Sequence, residues 1–209
     1  MPQWLADRVG VTGHVLATDI DISRLTGSHE PAFAVQQHDL ATSPAPGEGF
    51  DLVHARLVLE HVPDPARAPA TMVEALRPCG WLLVESADPL LQPLACPDEH
   101  GATQVLANKV RNAVWALDTH RGRLQFGRTL PRLLRDAGPT GVQAEARTPL
   151  TGQDTARLQR ILVLRSRDRL LSAGLLTKDE IDQHLADVAD GSLDLAAFPV
   201  VSAWGRKTR

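Results

Sequence analysis

Four short apolar runs limit what the first half of this chain can become. "VLATDID", residues 15–21, stops at Asp19, and a second acid follows at Asp21. "PAFAVQQHD" runs out at Asp39 in the same way, and "FDLVHA" and "WLLVES" follow from residues 50 and 81. Runs this short and this continuous read as strands buried in a parallel sheet. "TSPAPGEG" between the second and third is a Pro- and Gly-dense loop. "DPARAPATMVEALRPCG" between the third and fourth reads as a helix, with Asp64 as cap and Pro65 in its first turn. Pro69 lies too deep for that start, so the regular helix is expected to begin near it. A short helix over residues 2–9, with Trp4, Leu5 and Val9 on one face, precedes the first run and ends at Gly10 and Gly13. Strands alternating with helices predict a parallel sheet with covered faces.

After Pro89 the alternation stops. "DEHGATQVLANKVRNAVWALDTH" is mostly helical in pattern, "TLPRLLRDAG" is a short helix closed by Gly138, and "VQAEARTPL" is a strand. Residues 153–173 form a Leu- and Arg-rich helix ending at Gly174. Thr177 and Glu180 have capping-box spacing for one more helix, and "FPVVSAWG" ends the chain as a strand. The arginines at 157, 160, 165, 167 and 169 suit a solvated face on a lid helix better than a membrane surface or an acidic substrate, given the acidic balance of the chain.

Acids at the ends of buried parallel strands stand where open α/β sheets bind ligands. Asp19 can accept two hydrogen bonds from a ribose diol, and Asp39 can accept from an adenine amino group. Each can equally cap its own turn. Composition narrows the partners. A net charge of -3, with aromatics at 4% and no Tyr, supplies neither the electrostatics nor the stacking for nucleic acid. Cys79 and Cys96 lack metal-ligand spacing and form no secreted disulfide framework. "MPQWLADRVG" has no apolar centre of a signal peptide, and no run is long enough to span a membrane. A cytoplasmic protein is expected.

The stretches "FDLVHARLVLEHVPD" and "LRPCGWLLVE" closely resemble class I S-adenosylmethionine-dependent methyltransferases, especially the small-molecule type of ubiquinone and menaquinone biosynthesis. The likeness extends to the last strand, where "VVSAWGRK" resembles the family's antiparallel edge. It implies one domain over 1–209, Rossmann-like, with a mostly parallel sheet, an antiparallel last strand, and helical lid or insertion segments at 89–125 and 153–190. It implies S-adenosylmethionine as cofactor and a small-molecule methyl acceptor. Position by position, Asp19 matches the ribose-binding acid and Ile20 flanks the adenine. Asp39 matches the adenine-binding acid, with Leu40 beside it, and Ala55 and Arg56 match the segment near the methionine part. His61 and Glu85 become substrate-side candidates; for each, a structural role is the alternative. No catalytic residue is implied, because the sulfonium methyl is already electrophilic and the main task is alignment. Cys79 stands where the family's "LRPGG" has its first glycine.

One departure is large. The family's first strand and its "DxGxGxG" turn, which lets backbone approach the cofactor, have no counterpart here. "MPQWLADRVG" resembles the helix after that turn, so the chain reads as an N-terminally truncated member. The missing strand would be central, between the runs at 15–19 and 51–55. Three accounts follow: a start further upstream, a degenerate relative, or two strands closed up against each other. Two other functions stay open: a nicotinamide-dinucleotide oxidoreductase or binding protein, and a non-catalytic relative acting through protein contacts. The oligomeric state is left open, a homo-oligomer included.

Overall fold

The computed structural model describes residues 1–24, 32–117 and 123–209. The strand β1 (Leu16–Asp19) follows the helix α1 (Pro2–Val9), and β2 (Ala34–Gln37) pairs with β1 in parallel. Then come β3 (Phe50–Arg56), α2 (Ala68–Ala75) and β4 (Leu76–Ala87). The second half holds α3 (Ala102–Ala116), α4 (Leu130–Asp136), β5 (Thr140–Arg147), α5 (Gln153–Ser172), α6 (Lys178–Asp190) and β6 (Val200–Arg206). Of the helical stretch expected over 98–120, residues 118–120 lie outside the described residues.

The strands fall into two sheets. One is β1–β2; the other has the order β3–β4–β6–β5. In the larger sheet β3 and β4 are parallel, and β6 runs antiparallel to both its neighbours. Only the last strand is therefore reversed, as expected. The break between β1 and β3 falls where the central strand was expected to be missing. The two have not closed up: β1 pairs with β2, and β3 with β4.

Local chemistry explains the boundaries. Asp64 accepts from the amides of Ala66 and Arg67 (3.1 and 3.3 Å), so it caps a turn, and α2 starts four residues later with Pro69 in its first turn. There the missing N–H has no helical partner to lose. Within β4, "RPCG" bulges out: Phe50 pairs with Leu76 while Leu52 already pairs with Trp81. Gly80 is required there, since a Cβ would lie 2.9 Å from the Phe50 carbonyl oxygen. The capping box on α6 forms as its spacing predicts, with Thr177 accepting from the Glu180 amide and the Glu180 side chain accepting from the Thr177 amide.

Two cores result. α2 and α4 cover one face of the large sheet, burying Met72, Leu76, Leu82, Val84, Leu130 and Leu134. α3, α5 and α6 make a separate helical unit around Val110, Val163, Leu170 and Ile181. Arg111 ties that unit to its connections, donating to the carbonyls of Leu94 (2.8 Å) and Ala196. Of the arginines on α5, Arg167 pairs with Asp182 at 2.7 Å and Arg169 donates to the Leu117 carbonyl, while Arg157, Arg160 and Arg165 face solvent.

Candidate functional site

The carboxyl ends of the strands carry two clusters. The first is built on β1 and β2. The register sets Asp19 beside Gln37, and the His38 amide donates to the Asp19 carbonyl at 2.9 Å. Both acids thus leave their strands at the same end of the small sheet. Asp19 Oδ1 accepts from the Asp21 amide at 3.1 Å, so the turn-capping role is real. Its Oδ2 holds no partner among the described residues. Ile20 lies 66% exposed beside it, and its carbonyl accepts from Gln37 Nε2 at 3.0 Å.

Asp39 is more strongly organised. Oδ1 accepts from the Ala41 amide and Oδ2 from Thr42 Oγ1, both at 2.8 Å. The Ala41 amide bond first, then the Thr42 hydroxyl, hold its carboxyl below the usual range. A carboxylate has about four acceptor positions, so two donors leave room for a ligand. His38 is buried and its Nε2 lies 2.8 Å from the Pro44 carbonyl oxygen. A carbonyl only accepts, so Nε2 carries the proton. Ile20, Gln37, His38, Asp39 and Ser43 line one open cleft. Leu40 turns the other way and packs against the main core.

The second cluster centres on Glu85. Arg56 and Glu85 are cross-strand partners, and Arg56 Nη1 lies 3.0 Å from Glu85 Oε1. Ser202 Oγ on β6 donates to the same oxygen at 2.8 Å, and His54 Nε2 meets Oε2 at 2.9 Å. Burial pushes the Glu85 carboxyl upward, but hydrogen bonds from His54, Ser202 and Arg56 outweigh it, and the net shift is downward. Glu85 is therefore an ionised node whose oxygens are engaged by three donors. Ala55, buried on the opposite face, joins the main core. After Arg56 the chain kinks through Leu57 at φ 55, whose amide donates to the Glu85 carbonyl. His61 ends the short turn of helix that follows and is exposed.

His54, Ser202, Gln37, His38 and Ser43 did not stand out in the sequence as site residues. His54 and Arg56 do share strand parity, but their convergence on Glu85 depends on the β3–β4 register.

The described residues contain no cluster of His, Cys, Asp and Glu able to hold a metal ion, and no described helix is long and apolar enough to cross a membrane. The family of methyltransferase domains matches residues 3–144. An uncharacterised 37.1 kDa protein of transposon Tn4556 from Streptomyces fradiae is 32% identical over 202 residues, covering 90% of this chain and 54% of that protein. The chain thus spans about half the length of this curated relative. Among solved structures, a protein assigned as a methyltransferase of an antibiotic biosynthesis pathway in Anabaena variabilis superposes with a TM-score of 0.54. It is 16% identical, over 91% of this chain and 81% of that one. Phosphoethanolamine N-methyltransferase 2 of Haemonchus contortus, solved with phosphomonomethylethanolamine and S-adenosylhomocysteine, gives 0.50 at 12% identity, over 94% of this chain and 44% of that one. Both likenesses concern the fold.

Proposed function

Because the chain belongs to the methyltransferase domain family, we propose that it takes part in methyl transfer from S-adenosylmethionine to a small molecule. The observation that carries this reading is the open cleft at one end of β1–β2, lined by Ile20, Gln37, His38, Asp39 and Ser43, with Asp19 closing the neighbouring strand at the same end. In this reading Asp19 Oδ2 accepts from the ribose hydroxyls, Ile20 lies against the adenine, and a remaining acceptor position of Asp39 takes the adenine amino group. Arg56 stands at the methionine end, and Ala55 behind it anchors that strand end in the main core. The bound cofactor supplies the electrophilic methyl; the protein supplies alignment of the acceptor. Glu85 is assigned a positioning role, since its three donors leave it poorly suited to remove a proton. His61, exposed past the kink at Leu57, remains the substrate-side candidate. The α3–α5–α6 unit acts as the lid that selects the acceptor.

Binding by these 209 residues alone is expected to be weak. β1 and β3 stand in separate sheets, and no glycine-rich turn brings backbone to the cofactor. The test is an NMR titration with millimolar S-adenosylmethionine, run in parallel with a nicotinamide dinucleotide. The amides of Ile20, Gln37 and His38 should shift with the first ligand. Asp39→Ala removes a charge-assisted acceptor worth roughly 1.5–3 kcal/mol and should weaken binding about tenfold or more. Shifts confined to other regions, or a preference for the nicotinamide ligand, would reject the assignment. Tight stoichiometric binding would show that the present strands already form a complete pocket.

A further inference from the structure

The α3–α5–α6 unit carries polar groups where an apolar stripe would be expected. Asn108, Arg111 and Trp115 recur at three- and four-residue spacing on one face of α3. Gln159 meets Arg111 from α5, and His184 faces inward from α6. Asn108, Arg111, Gln159 and His184 are all buried. Asn108 is fully used: it accepts from the Cys96 amide at 2.8 Å and donates to the Cys96 carbonyl at 3.0 Å and to Glu99. The others are not. Arg111 Nε, both ring nitrogens of His184 and Trp115 Nε1 are enclosed, and none has a partner among the described residues. Enclosed polar atoms without partners are rare, and several in one helical unit point to an occupant.

Charge says what kind of occupant. The terminal nitrogens of Arg111 reach only neutral oxygens: the carbonyls of Leu94 (2.8 Å) and Ala196, and Gln159 Oε1 (3.4 Å). Burial pushes its pKa down to about 10, and only the Cys96 sulfur acts against that. Burial pushes the Cys96 thiol up, so near neutral pH it carries no counter-charge. Asp187, whose charge is felt at His184, is occupied by Gln183 Nε2 at 2.8 Å. A buried cation without a counter-ion is among the costliest arrangements in a fold. Near neutral pH the unpartnered atoms are mostly donors: the Arg111 Nε–H, the indole N–H and one imidazole N–H. A water could accept from donors but would leave the charge uncompensated; an anion does both. We propose that the α3–α5–α6 unit encloses a small monovalent anion, chloride or a carboxylate, held by Arg111 and His184 with Trp115 one turn further along α3. Leu94 lies on the connection leaving β4 and Ala196 on the one entering β6, so the occupied site closes the joint between the helical unit and the large sheet.

The indole N–H resonances of the four tryptophans provide the test, with the Trp115 signal identified by its loss in Trp115→Phe. The chain is exchanged into buffer free of small anions near neutral pH and titrated separately with sodium chloride and sodium acetate. The expected result is a saturable shift of the Trp115 signal at millimolar salt. Saturation by acetate at the lower concentration would mark a receptor for carboxylate-bearing molecules; saturation by chloride at the lower concentration would mark a structural halide. His184→Leu should raise the midpoint about tenfold or more, and Arg111→Met should abolish the response. Should Arg111→Met fail to fold by circular dichroism, His184→Leu alone carries the comparison. A Trp115 signal that ignores both salts up to about 0.2 M, where surface charges are already screened, overturns the proposal and leaves the donors to internal water. So does a midpoint unchanged in His184→Leu.

Discussion

Cys79 shows how a single residue can mark a family position and strain it. It sits at φ 61, in the left-handed region, at the bulge where β4 leaves its register with β3. Its amide donates to the Lys207 carbonyl, and its own carbonyl accepts from Arg206 Nε and Nη2. The backbone is thus held without help from the thiol. A side-chain-bearing residue in that region costs roughly 1–2 kcal/mol, partly offset by the extra chain entropy a glycine loses. Cys79→Gly is therefore expected to stabilise the fold by about 0.5–1 kcal/mol, a rise of a few degrees in thermal midpoint for a chain of this size. An unchanged or lowered midpoint would show that the thiol makes a compensating contact. Asp19 and Asp39 were legible at the same scale because each closes an apolar run. The engagement of Glu85 was not, since its three donors come from two other strands.

At the scale of elements, the helical unit carries its polarity inside. His184 on α6 is fully buried, and neither ring nitrogen has a partner among the described residues. Burial lowers its pKa from 6.5 to about 4; Asp187 acts against that shift and Arg111 with it. Above pH 6.5 the ring is neutral in both states. Between pH 6.5 and 4 the unfolded chain takes up a proton that the folded chain refuses, so stability falls as pH falls. Relative to a non-titrating His184→Leu chain, the parent should lose up to about 3 kcal/mol between pH 7 and pH 4. Urea titrations of both proteins across that range provide the measurement. Parallel pH profiles would mean that His184 is hydrated or paired in solution. The existence of α6 was readable from Thr177 and Glu180, which bond within three residues of each other. The burial of its histidine was not, since α3 and α5 arrive from distant sequence.

The whole molecule divides into a large sheet with a dense core and a small sheet with almost none. β1–β2 buries little besides Ala17 and His38, and Leu40 joins it to the main core. An isolated pair of strands is marginal in water, so this part should open well below the energy of global unfolding. Native-state hydrogen exchange should find the Ala17 and Val35 amides exchanging at least a hundredfold faster than those of Leu82 and Val84. Equal protection would mean that the two sheets open as one unit. Saturating S-adenosylmethionine should slow exchange in β1–β2 selectively, because the proposed ligand contacts lie there.

The sequence by itself determined the strands, most helices and the acids at two strand ends, while the reversal of the last strand was implied by the family resemblance. Those features rest on signals within a few residues: apolar runs, caps, and prolines that remove a donor. It also located the break in the sheet, through resemblance to a family whose central strand has no counterpart here. Only the tertiary structure decided that β1 and β3 stay in separate sheets and that Glu85 is tied by His54, Arg56 and Ser202. Those outcomes depend on pairing between segments up to 117 residues apart. Register and burial there are settled by which surfaces meet, and no local pattern encodes them.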